Sequence, residues 1–109
     1  MLILNQRIKD KLKENWGERA IALEVYAEVK LFDPLSSWIC YLFAMDENEQ
    51  YVQGLFYSNL CGYEIEIMEW NDLQNMFNEE GDNPQIDEEY RRMTVKEILK
   101  RLRRNLSFS

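Results

Sequence analysis

The sequence predicts a single α+β domain over residues 1–109, with a four-stranded antiparallel meander sheet flanked by an N-terminal, a short middle and a C-terminal helix. Three observations carry this. From Ala22 to Leu31 the apolar residues recur with period two, placing Leu23, Val25, Ala27, Val29 and Leu31 on one side and Glu24, Tyr26, Glu28 and Lys30 on the other. From Trp38 to Met45 every residue is apolar, the pattern of a strand covered on both faces. Before and after these strands the apolar spacing lengthens to that of a helix, and the connections between strands are short enough to make neighbours pair antiparallel.

Taken in order, residues 1–17 form the first helix. Asn5 is its cap, Leu4, Ile8, Leu12 and Trp16 form one apolar stripe, and Gly17 is its stop. The sheet occupies 22–70. Asp33 to Ser37 turn the chain around Pro34, and Asp46 to Gln50 make an acidic hairpin loop. Tyr51 to Leu60 is the third strand, in which Gly54 marks a bulge or a close backbone approach. Tyr63 to Trp70 is the fourth, with Tyr63, Ile65 and Ile67 inward and Glu64 and Glu66 outward. Asn71 and Gln74 resemble a capping box and open a short helix over 71–78 that holds Leu73, Met76 and Phe77. An acidic loop follows at 79–90. Thr94 and Glu97 form a second capping box, starting a helix over 94–104 with Val95, Ile98, Leu99 and Leu102 inward.

The segment Lys30-Leu31-Phe32-Asp33-Pro34-Leu35-Ser36-Ser37-Trp38, with Tyr41 after it, resembles the Phe-Thr-Pro-x-Ser-x-Trp-x-Trp-Tyr signature of the family called domain of unknown function 2958. Gly54-Leu55, Gly62-Tyr63 and Ile86-Asp87 with Tyr90 are similar to later positions of that family, so the resemblance spans nearly the whole chain. Cys40 stands where the family often has a second Trp, and the link from Gly62-Tyr63 to the short helix is longer and more acidic than usual. The resemblance implies a compact α+β protein carried on bacterial plasmids and other mobile elements. It brings no catalytic residue.

Charge is distributed unevenly. Leu31 to Tyr90 contain fourteen acids and no Lys or Arg, while residues 91–109 hold seven bases against one acid. An acidic surface on the middle of the fold and a basic C-terminal helix follow. The chain has no histidine, which removes the usual general base near neutral pH and the common Ser-His and Cys-His nucleophilic pairs. Cys40 and Cys61 match no metal-binding spacing and Cys40 reads as a buried thiol; among only four glycines there is no phosphate-binding loop. Glu64 and Glu66, with Glu69 nearby, project from one strand face, where a solvated face is the simpler reading than acid–base chemistry. No apolar run is long enough for a membrane span or a signal peptide, and two cysteines suit a reducing interior, so cytoplasmic residence is expected.

The expectation is therefore a protein without enzymatic activity, cofactor or metal, acting by contact with a basic protein. Its candidate contact residues are Asp46, Glu47, Glu49, Glu64, Glu66, Glu79, Glu80, Asp82, Asp87, Glu88 and Glu89. Small acidic proteins that neutralise toxins or defence proteins are a variant of the same idea. A nucleic-acid-binding module is the alternative, using Arg91, Arg92, Lys96, Lys100, Arg101, Arg103 and Arg104.

Overall fold

A computed structural model describes residues 4–17, 24–34, 38–58, 62–75 and 84–106, with side chains to 102. The elements are α1 (Gln6–Glu14), β1 (Tyr26–Ala27), β2 (Val29–Phe32), β3 (Ile39–Met45), β4 (Tyr51–Ser58), β5 (Gly62–Glu69), α2 (Trp70–Asn75), β6 (Gln85–Ile86), β7 (Met93–Thr94) and α3 (Val95–Leu106). The main sheet is wholly antiparallel in the order β5-β4-β3-β2-β6, and β1 pairs with β7 in a separate two-stranded sheet.

The expected meander is present as β2-β3-β4-β5, but the sheet has five strands rather than four. The fifth, β6, comes from the stretch expected to be an acidic loop: Leu31 and Phe32 pair with Ile86 and Gln85, and the Asp87 N–H donates to the Lys30 carbonyl at 2.9 Å. The expected first strand is divided at Glu28. Its N–H still donates to the Leu42 carbonyl at 2.9 Å, while Tyr26 and Ala27 peel away to pair with Thr94 and Met93. The short middle helix opens on Trp70, not after an Asn71 cap, and the Trp70 N–H, which has no acceptor within the helix, donates to the Gln50 carbonyl at 2.8 Å. Met76 and Phe77 lie outside the described residues.

From Cys40 to Met45 every side chain of β3 is buried. Cys40, Leu42 and Met45 join Val29, Leu31, Val52 and Phe56 on one face, covered by Leu4, Ile8 and Leu12 of the first helical segment and by Trp70 and Leu73 of α2. Tyr41, Phe43 and Ala44 join Leu55 on the other, covered by Val95, Ile98, Leu99 and Leu102 of α3 and by Ala27, Trp16 and Tyr90. Strict alternation would put Ala44 with Leu42 and Met45 with Phe43. The register shifts between Leu42 and Ala44, so Phe43 is bulged and the two residues after it exchange faces.

Local signals hold the helices in place. The Asn5 carboxamide accepts from the Ile8 N–H at 2.9 Å, and Gly17 takes the left-handed φ of +91°. Thr94 Oγ1 accepts from the Glu97 N–H at 3.1 Å while the Glu97 carboxylate accepts from the Thr94 N–H at 3.3 Å, completing the reciprocal cap of α3. The Tyr90 hydroxyl donates to the Ala27 carbonyl at 2.8 Å and accepts from the Met93 N–H at 3.2 Å, tying the small sheet together. Burial pushes that hydroxyl's pKa up to about 12, so it stays protonated and able to donate.

At Gly54 the packing of β4 against β3 leaves no room for a side chain. A Cβ there would stand 2.9 Å from Cys40 Sγ and 3.0 Å from the Tyr41 carbonyl oxygen, and the carbonyl is fixed in the sheet. Gly54→Ala is expected to destabilise the fold by about 1–3 kcal/mol through overpacking. Urea unfolding followed by circular dichroism measures this.

Candidate functional site

The charged residues sort into those that the fold consumes and those that it leaves outward. At the β3–β4 turn, the Asp46 carboxylate accepts from the Gln50 N–H at 2.7 Å and the Tyr51 N–H at 2.8 Å, a structural role that closes the hairpin. Glu49, at a φ of 59°, lies between Lys9 at 2.9 Å and Lys13 at 3.0 Å, so two ammonium groups from α1 neutralise it. Asp87 pairs with Lys30 at 3.3 Å and also accepts from the Glu89 N–H at 2.9 Å. Glu28 is nearly buried, and Arg92 grips it with Nε 2.9 Å from each carboxylate oxygen while its guanidinium lies 4.1 Å from the Tyr26 ring centroid. Glu47, Glu64, Glu66, Glu88 and Glu89 form no ion pair among the described residues, and all are exposed. Glu79, Glu80 and Asp82 lie outside the described residues.

Among the described residues these acids do not form one continuous face. Glu64 and Glu66 are on β5, at one edge of the main sheet, whereas Asp87, Glu88 and Glu89 follow β6 at the opposite edge. Four strand spacings separate the edges, roughly 19 Å. On the basic side, Arg91, Lys96, Lys100 and Arg101 are exposed, while Arg92 is committed to Glu28 and therefore withdrawn from the expected nucleic-acid set. The side chains of Arg103 and Arg104 lie outside the described residues.

What the register does assemble is a small cleft at the β4–β5 edge. Glu64 stands directly opposite Phe56 and Glu66 directly opposite Gly54, so both carboxylates share the face of Phe56. The ring of Trp38 lies against Phe56, with centroids 6.1 Å apart and planes inclined by 52°. Trp38, Phe56, Glu64, Glu66 and Met68 line a cleft of about 160 Å³. On the opposite face of β5, the isoleucines expected to be inward are not covered. Ile65 is 42% exposed and Ile67 40%, beside Tyr51 at 40%, whereas Tyr63 at the start of the same face packs against the cluster that α3 covers. Gln53, opposite Ile67, is buried with its Oε1 lacking a hydrogen-bond partner among the described residues. The outer side of β5 pairs with no strand among the described residues.

A second cleft, of about 460 Å³, opens at the end of the β2–β3 hairpin between Lys30, Phe32, Pro34, Trp38, Ile39 and Asp87. Its one charged pair, Lys30 with Asp87, is internally neutralised. Asp33 is buried at the same corner, its N–H donating to the Trp38 carbonyl at 3.2 Å. Burial raises the Cys40 thiol well above its ordinary pKa, which keeps it protonated and unreactive. Among the described residues no three carboxylates or thiols gather closely enough to hold a metal ion, and no helix is long and apolar enough to cross a membrane.

No family model matches the chain, and neither a curated protein nor a solved structure is found to be similar to it.

Hydrogen bonds from Lys9 and Lys13 hold the Glu49 carboxyl below the usual carboxylate range, and the Glu49 partner raises the Lys13 pKa. A depressed folded-state carboxyl stabilises above its unfolded pKa and stops doing so as pH falls through the folded value. Glu49→Gln is therefore expected to lower the melting temperature at neutral pH, with the difference from the parent protein vanishing in acid. Melting curves recorded from neutrality down to about pH 3 measure this.

Proposed function

We propose that this chain is a non-enzymatic accessory protein that acts by protein–protein contact, presenting acidic surface to a basic partner. The observation that carries this reading is the contrast between its acids. Where a cation from outside the cation-free segment can reach, as at Glu49, Asp87 and Glu28, the carboxylate is neutralised. On β5 three carboxylates, Glu64, Glu66 and Glu69, remain outward beside exposed isoleucines, on a sheet edge that is unpaired among the described residues. Such a combination of apolar area and single-sign charge suits a partner of opposite charge, attracted over distance and held at short range. The residues that resemble the domain of unknown function 2958 family add carriage on a bacterial mobile element to the proposal, and the absence of a long apolar run together with two cysteines adds cytoplasmic residence.

The test is charge reversal at the outward acids, Glu47→Lys, Glu64→Lys, Glu66→Lys, Glu88→Lys and Glu89→Lys together, in the intact chain. Crosslinked capture of a basic protein from a bacterial host lysate is expected to fall at least tenfold relative to the parent. Equal capture by both proteins overturns the reading.

A further inference from the structure

We infer that the β5 edge takes an extended basic segment of the partner as an added strand, with a Lys or Arg side chain lodged over Trp38 and Phe56 between Glu64 and Glu66. This inference rests on the acidic-surface reading and names where and how the contact is made.

Three features converge on it. First, β5 is eight residues long and has one side that no strand among the described residues pairs with, so an extended chain can continue the antiparallel ladder with its own backbone. Second, strand periodicity places Glu64 and Glu66 on one face about 7 Å apart, with Ile65 between them on the other. A segment paired with β5 therefore sets residues i and i+2 against the carboxylates and residue i+1 against Ile65. The complementary pattern is cationic, apolar, cationic. Third, the carboxylates flank an aromatic cleft. Trp38, half-buried and packed against the buried Phe56, offers ring surface to a cation, and the cleft of about 160 Å³ holds one side chain rather than a nucleotide. With no Lys or Arg from Leu31 to Tyr90, the chain supplies no cation of its own on this segment, and among the described residues none pairs with Glu64 or Glu66.

The exposed isoleucines give the added strand its second face. Ile65 and Ile67, with Tyr51, form the apolar strip that α3 leaves uncovered, and an apolar residue between two cations would cover part of it. At the β3–β4 turn and the turn after β6, Glu49 and Asp87 are already paired, and the outward Glu47, Glu88 and Glu89 stand on turns and not on a long strand.

The test uses assigned 15N-labelled intact protein and the peptide acetyl-Val-Arg-Val-Arg-Val-amide at low salt. Two control peptides accompany it: one has both Arg replaced by norleucine, and the other has the same composition with the two Arg adjacent. The alternating basic peptide is expected to shift the Trp38 indole N–H and the amides of 62–68. Its affinity should drop about tenfold in Glu64→Gln/Glu66→Gln, the scale of two part-exposed ion pairs. These substitutions sit on exposed side chains, and an otherwise unchanged spectrum certifies the fold. Equal shifts with the norleucine or the adjacent-Arg peptide, undiminished binding by the double variant, or no shift at millimolar peptide each overturn the inference. Shifts confined to the turns at 46–50 or 87–90 overturn it while leaving the broader acidic-surface reading standing.

Discussion

The burial of β3 on both faces is the constraint on which the remaining structure depends. A strand with no polar side needs a layer above and a layer below, and a chain of this length must build both from short elements. α1 and α2 close one side; α3, the β1–β7 pair and Tyr90 close the other. Covering a large apolar side chain is worth about 1.5–3 kcal/mol, so the row from Cys40 to Met45 is a principal source of stability. The bulge at Phe43 adjusts this row to its two covers, turning the small Ala44 and the long Met45 to the opposite sides from those that simple alternation assigns.

Charge placement follows from that layering. The elements that cover the sheet bring the cations: Lys9 and Lys13 arrive with α1, and Arg92 with the segment leading into α3. They neutralise acids at the points where the covers dock. β5 reaches the two covered clusters only through Met68 on one face and Tyr63 on the other, so the carboxylates of Glu64 and Glu66 and the side chains of Ile65 and Ile67 between them are left exposed. The acidic edge is thus a result of topology acting on a segment that carries no cation, and the basic face of α3 does not balance it by direct pairing among the described residues.

Much of the architecture can be read from residues that act locally. The Asn5 and Thr94–Glu97 caps, the Asp46–Gln50 hairpin and the doubly apolar β3 are each decided within a few residues of sequence and stand where the pattern places them, whereas α1 ends at Glu14 with Asn15 as its cap, before the expected Gly17 stop. What escapes sequence reading is settled at long range. Two residues, Gln85 and Ile86, become a strand because Leu31 and Phe32 leave an edge for them, and no periodicity exists in a two-residue strand. Arg92 looks free until Glu28, far away in the chain, is brought beside it. Ile65 and Ile67 alternate as core residues do, yet alternation defines faces and says nothing of whether a layer covers them. The acids of the candidate site were visible as a charge pattern; their meeting with Trp38 and Phe56 depends on the β4–β5 register.

The open edge has one more consequence, for the behaviour of the protein in concentrated solution. A long, exposed strand with two outward isoleucines is the usual template for edge-to-edge aggregation. In the antiparallel register centred on Ile65, however, Glu64 of one copy would stand opposite Glu66 of the next, and like charges directly opposite each other oppose pairing. The carboxylates that would favour a basic strand therefore also keep identical molecules apart. In that register the same edge opposes a second copy of the chain and suits a basic strand.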